Sequence, residues 1–267
     1  MSDIINYYNQ FDEWGRLDRE PIEFQVNWHY IKEYMPKSGT VLDNGAGPGK
    51  YSMELAKKGY QVTLTDITPR LVKIAETKAK ELDLGGKFDG FYTADARKLT
   101  MLRDEQFDAS LMLGPMYHLQ ENKDRIEAVQ ELHRVTKKNG IVFVAFMSRI
   151  RHILTSLIYP QNWKPNDNMD TIHQFSQTGC FHHADEGRFT GAYYFNIEDI
   201  NLFMESQGFE TLNLLGSNVG AILPQDSWNY WKERREAERI IQLLIEKATD
   251  PYLLGISTHL LYIGRKK

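Results

Sequence analysis

Apolar positions along this chain change period at short, regular intervals, and the changes divide it into elements. The run Thr40-Val41-Leu42 ends in an acid and a glycine-rich turn, as a first strand would. Residues 50–58 read as a helix closed by Gly59, and residues 61–66 as a second strand. Residues 69–82 form the next predicted helix, with Thr68 as cap and Pro69 at its first position. Beyond the Gly85-Gly86 break come strands over 88–95 and 107–113, the latter apolar enough for a sheet interior. Residues 123–138 are amphipathic through Ile126, Val129, Leu132 and Val135, with Lys-Lys-Asn-Gly as the stop, and 141–146 is a fifth strand.

The rhythm then breaks. From 148 to 195 the chain is polar and aromatic without period, and so long a connection predicts function or a small structure of its own. Regularity returns with a helix over 196–207, a strand over 209–215, one long charged helix over 227–247 and a last strand over 257–263. The first 37 residues, rich in Tyr7, Tyr8, Phe11, Trp14, Trp28 and Tyr30, read as two helices. They either pack on the sheet or form a lid, with Tyr7, Tyr8, Trp14 and Arg16 open to both roles.

Strand–helix alternation of this kind implies an α/β fold with a doubly wound, parallel sheet and right-handed crossovers. Ligands of such sheets bind beyond the carboxyl ends of the strands, where strand order reverses. The glycine-rich turn stands at the end of strand one.

Composition narrows the classes. At 267 residues with 42% apolar content, the chain suits one elaborated domain. A net charge of −4 speaks against an obligate nucleic-acid binder. Cys180 is the one cysteine, so neither an internal disulfide nor a multi-cysteine metal site is expected. With a polar, acidic start and no long apolar stretch, the expectation is a soluble, cytoplasmic protein without a membrane span.

The turn itself reads Asp43-Asn44-Gly45-Ala46-Gly47-Pro48-Gly49. Alternate glycines let a ligand approach the backbone, and the strand-to-helix setting offers it free N–H groups. A dinucleotide fingerprint fails, because its third glycine would fall on Lys50 or Ser52. A P-loop fails too, since Asn44 stands where its first glycine belongs and Tyr51 replaces Ser/Thr. What remains is an acid-led Asp-x-Gly-x-Gly-x-Gly, suited to a cation. It resembles motif I of the class I S-adenosylmethionine-dependent methyltransferases.

That resemblance, close over residues 38–147 and loose over 196–267, implies a Rossmann-like, seven-stranded, mostly parallel sheet. Its last strand would run antiparallel between strands five and six, with an N-terminal helical lid and an insertion after strand five. It also implies S-adenosyl-L-methionine as cofactor, held by Asp43, Gly45, Ala46, Gly47, Gly49, Asp66, Ile67, Asp95, Ala96 and Leu113, with Tyr7 and Arg16 from the lid. Asp43 would face the ammonium group. Asp66 would take the ribose hydroxyls, freed for them by Thr68 serving as the helix cap. Asp95 would read the adenine, with a turn-forming aspartate as the competing role. Asp108 to His118 would line the wall between donor and acceptor. His118 is the candidate general base and Tyr117 the orienting group. His182 and His183 could face the acceptor, and no metal is expected of them.

The expected activity is methyl transfer to a small molecule, without nucleic acid as partner. An RNA or protein methyltransferase and a non-catalytic cofactor-binding regulator are the alternatives. Oligomeric state and acceptor atom have no signature here.

Overall fold

The computed structural model describes residues 5, 7–9, 13–15, 21–185, 188–218, 223 and 225–267. Helix α1 (Pro21–Tyr34) leads into β1 (Thr40–Asn44), α2 (Lys50–Lys57), β2 (Gln61–Asp66), α3 (Pro69–Glu81), β3 (Phe88–Thr93) and β4 (Phe107–Met112). Then follow α4 (Asn122–Val135), β5 (Thr136–Met147), α5 (Arg149–Ile158), α6 (Met169–Thr178), and the short pair β6 (Cys180–Phe181) and β7 (Ala192–Tyr193). The chain closes through α7 (Ile197–Ser206), β8 (Phe209–Gly216), α8 (Gln225–Glu233), α9 (Ala237–Lys247), α10 (Pro251–Ile256) and β9 (His259–Lys266).

Seven strands form one sheet in the order β3-β2-β1-β4-β5-β9-β8. Strands β1 to β5 are parallel, and β9 runs antiparallel between β5 and β8. The mostly parallel, doubly wound architecture expected of the sequence is therefore present. Strand order turns back between β1 and β4, and a crevice opens there at their carboxyl ends.

Alternation along the strands sends successive side chains into two apolar layers. On one face Leu111, Phe143 and Ile263 pack with Val26 and Ile31 of α1, Leu55 of α2 and Ile241 and Ile245 of α9. On the other, Met112, Val142, Val144 and Tyr262 meet Val129 and Leu132 of α4 and Ile200 and Met204 of α7. Phe143 is wholly buried, so truncation to alanine would cost about 3–5 kcal/mol.

Three local expectations are corrected. The Lys-Lys-Asn-Gly segment does not end a helix. Helix α4 stops at Val135, and β5 begins at Thr136, with Asn139 in the left-handed region at φ 63°. Register jumps from Thr136, opposite Phe107, to Ile141, opposite Ala109. Lys137 is drawn into the strand by Asp108, 2.8 Å away, and Thr136 by a buried hydroxyl contact with Ser110.

The expected single helix over 227–247 is two. Arg235 at φ 59° turns the chain, with the N–H of Glu236 bonded back to Trp231 O, so that Ile241 and Ile245 reach the core. Thr68 makes no side-chain cap on α3; its hydroxyl is buried without a partner.

The 148–195 stretch has its own small core. His152 lies among Trp163, Phe175, Phe181 and Tyr194, stacked on Tyr194 with ring centroids 4.4 Å apart. Arg149 ties it to the domain through the carbonyls of Tyr194, Ser176 and Gln177.

Candidate active site

The cleft at the β1–β4 reversal is lined by the turn after β1, the ends of β2 and β3, and the segment after β4. Gly45 and Gly49 have φ 73° and 83°, values that L side chains rarely adopt. A Cβ on Gly45 would collide with the Pro115 ring, and one on Gly49 would lie 2.8 Å from Leu64 Cδ1. Gly45 thus lets two cleft walls meet, while Gly49 lets α2 seat behind the turn.

The turn does not offer the free N–H groups expected of it. Those of Gly45 and Ala46 donate to Thr65 O, that of Gly49 to Ala46 O, and that of Gly47 to Asp66 Oδ2. Asp66 Oδ1 accepts from the N–H of Thr68 at 2.8 Å. Asp66 is thus a staple across the cleft floor, tying the glycine turn to the start of α3. Each oxygen keeps a lone pair for a further donor. With its amides spent, the turn shows carboxylates and carbonyls to a ligand.

Both acids are buried. Asp43 is 2% exposed, accepts from Ser52 Oγ at 2.6 Å, and is pushed up to about 6 by burial, with the nearby Asp66 adding to the rise. Burial also raises Asp66. Neither has a Lys, Arg or His partner among the described residues. Uncompensated buried carboxylates are costly, and a bound cation offsets that cost.

Asp95 lines the third wall, but Arg97 holds it through its backbone N–H and its guanidinium. Arg97 also pairs with Asp124 at 2.7 Å. The turn-forming role is therefore real, and the ion pair keeps the carboxyl below its usual range despite partial burial.

The fourth wall carries Leu113, Tyr117 and His118. Tyr117 donates to Leu113 O at 3.0 Å. His118 Nε2 lies 2.9 Å from the hydroxyl of Tyr8, and burial holds the imidazole near 3, neutral at physiological pH. Arg70 of α3 donates to the carbonyl of Tyr8. Tyr8 thus touches both His118 after β4 and Arg70 on α3.

Of the expected site residues, Asp43, Gly45, Ala46, Gly47, Asp66, Ile67, Asp95, Ala96, Leu113, Tyr117 and His118 converge on this cleft. Gly49 stands behind it. Tyr7 contacts Tyr8 and Phe189 beside it, and Arg16 lies outside the described residues. Tyr8, open to packing or to a lid role in the sequence, lines the cleft, and residues not anticipated include Glu13, Lys50, Tyr51 and Thr68. His183 is bonded to Asn162 O and the N–H of Asp185, and no cluster of three metal-ligating side chains stands among the described residues.

Residues 42–144 match the family model of the methyltransferase domain. Over these residues the chain is similar to the class I S-adenosylmethionine-dependent methyltransferases. It is 31% identical over 145 residues to the glycine/sarcosine N-methyltransferase of Parasynechococcus marenigrum, covering 54% of this chain and 49% of that one. It is 32% identical over 126 residues to a ubiquinone biosynthesis O-methyltransferase of Xylella fastidiosa, covering 46% and 48%. The chain thus spans about half the length of these curated relatives. Among solved structures, its fold is similar to Burkholderia thailandensis 1,6-didemethyltoxoflavin-N1-methyltransferase with bound 1,6-didemethyltoxoflavin and S-adenosylhomocysteine. That TM-score is 0.59 at 15% identity, covering 100% of this chain and 86% of the other.

The cofactor of this family is S-adenosyl-L-methionine, and the cleft fits it. Two buried acids have no cationic partner among the described residues, the glycine turn gives close backbone access, and Thr68 Oγ1 is a buried cleft hydroxyl without a partner there. Among the described residues no helix is long and apolar enough to cross a membrane.

Proposed function

We propose that this protein transfers a methyl group from S-adenosylmethionine to a small-molecule acceptor. The observation that carries this reading is the buried pair Asp43 and Asp66, without a cationic partner among the described residues, at a cleft walled by Tyr8, Tyr51 and Tyr117. When bound, the cofactor supplies a methyl carbon already activated by a sulfonium. Asp66 would hold ribose hydroxyls while stapling the glycine turn, and Asp43 would take the ammonium end.

Residues 1–37 would serve as the lid. Tyr8, bonded to His118 and Arg70, and Trp14, near Lys50 and Lys78, support that role. The 148–195 insertion would line the acceptor side, since Tyr117 packs with Phe175, Phe181 and Phe189. A cavity closed in this way excludes water and suits a compact acceptor better than a polymer strand. The similarity to methyltransferases named for glycine/sarcosine and for ubiquinone biosynthesis supports the same class.

His118 is poorly suited to serve as the base. An imidazole held near 3 takes a proton from a hydroxyl only far uphill, so its role would be to position Tyr8 and the acceptor. The test is calorimetry with S-adenosylmethionine and S-adenosylhomocysteine, then turnover on a panel of amines, phenols and heteroaromatic N–H compounds. Cofactor binding with transfer to one of these is expected; transfer to RNA alone would overturn the small-molecule reading.

A further inference from the structure

Behind Tyr117 of the cleft wall stands a second histidine, and it has a carboxylate. His259 opens β9, opposite Met147 at the end of β5, so it stands at the same sheet edge as the cleft. Its Nδ1 lies 3.2 Å from Glu23 Oε2 of α1, with the two side chains 15% and 8% exposed. The pair is within ionic reach without being aligned as a hydrogen bond. Catalytic contacts are often loose before substrate binds and tighten afterwards. Asn218, just past β8, donates to the same Glu23 oxygen at 3.3 Å and anchors it.

The His259 ring sits 5.6 Å from that of Tyr117, which lines the cleft. Elements distant in sequence therefore bring an imidazole and a carboxylate together directly behind Tyr117 of the cleft wall. An imidazole flanked by an acid at one nitrogen presents the other as a proton acceptor.

Resting on the methyl-transfer reading above, we propose that Glu23 and His259 form the proton-accepting pair for the acceptor. Glu23 fixes the tautomer with hydrogen on Nδ1, leaving Nε2 bare. The acceptor's O–H or N–H proton passes to Nε2 as its electron pair bonds to the methyl carbon and the carbon–sulfur pair stays on sulfur. The acceptors of this site are accordingly hydroxyls or amines that arrive protonated, not thioethers or tertiary amines. His118, without a carboxylate and desolvated, leaves this task to His259.

The test uses the full chain, ¹⁵N-labelled at histidine and saturated with S-adenosylhomocysteine. His259→Asn assigns the resonances, and an unchanged S-adenosylhomocysteine affinity shows that this variant is folded. In the wild type, Nδ1 of His259 is expected to carry the hydrogen and Nε2 none, and E23Q is expected to lose that preference. A wild-type spectrum with a proton on Nε2 overturns the proposal. With any acceptor that turns over, H259N should lower kcat roughly 10²–10⁴-fold at constant cofactor affinity. Full turnover in H259N overturns it as well. Failure of the methyl-transfer reading is distinguishable: the wild type would then not bind S-adenosylhomocysteine.

Discussion

The two sides of the cleft are built differently. On the β1–β2 side, Asp43, the glycine turn, Asp66 and Thr68 are near neighbours in sequence. Backbone amides and carboxylates hold them, from Gly47 and Thr68 to Asp66. On the β4–β9 side, side chains remote from one another meet through aromatic and imidazole contacts, such as Tyr8 with His118 and Tyr117 with His259. Local hydrogen bonding makes the first side rigid and dependent on a few atoms. The second side rests on tertiary packing, so single changes there should be mild for the cofactor and felt mainly by the acceptor.

Asp66→Ala should produce the largest effect on cofactor binding. It removes a carboxylate from the cofactor and strands the N–H groups of Gly47 and Thr68, each worth roughly 1.5–3 kcal/mol as a bond to a charged acceptor. S-adenosylmethionine affinity should fall roughly 100-fold by calorimetry, with a lowered melting temperature. Unchanged affinity would remove Asp66 from the site.

Asp43→Asn separates ligand binding from stability. Because burial raises the native Asp43 to about 6, the folded state holds its proton more tightly than the unfolded chain. Stability therefore falls as pH rises from about 4 to about 6, by about 3 kcal/mol in all, and stays reduced above that. The variant should be more stable than the wild type at pH 8 and no more stable at pH 4. It should also bind S-adenosylmethionine at least tenfold more weakly. In the wild type, affinity should decline as pH drops below 6 and the carboxylate is neutralised. Wild-type affinity in Asp43→Asn would show that no cationic group meets this acid.

That contrast also explains what the sequence can reveal. The glycine turn, Asp66 and the strands around them are legible because their signals are local: short apolar runs, caps and glycines at fixed spacing. The antiparallel position of β9 comes only from family resemblance, since no local pattern encodes strand order. Glu23 and His259 carry no signal, being paired by the return of β9 beside β5. The Lys137–Asp108 contact and the break at Arg235 override local propensities through tertiary contacts. Even near the glycines, the spent amides stay hidden, because motif spacing does not tell which N–H groups the protein itself has already used.

His152 gives the acceptor-side insertion its own pH signature. It is 4% exposed, and burial lowers it to about 3, with His183 adding to the effect. The unfolded chain takes up a proton near 6.5 that the folded state refuses, so stability declines as pH falls below 6.5. Between pH 7 and pH 5 the loss is about 2 kcal/mol for this one group. His152→Phe should keep the aromatic packing within about 1 kcal/mol at pH 7 and remove that acid-dependent loss. Denaturant melts at the two pH values measure it. Equal acid sensitivity in the variant would mean that His152 is hydrated or protonated in the native state.

The smallest effect is expected at Tyr8→Phe. The change deletes one hydroxyl, the one 2.9 Å from His118 Nε2, and keeps the edge-to-face ring contact, whose centroids are 5.5 Å apart. A net hydrogen bond of this kind contributes about 1 kcal/mol, so S-adenosylhomocysteine should leave roughly fivefold faster while still binding. Arg70 bonds the Tyr8 carbonyl, which the substitution leaves in place, so the segment should loosen without detaching. Stopped-flow displacement with excess S-adenosylmethionine reads the rate. If release is unchanged in Tyr8→Phe, the N-terminal segment does not gate the cofactor, and its contact with His118 is packing alone.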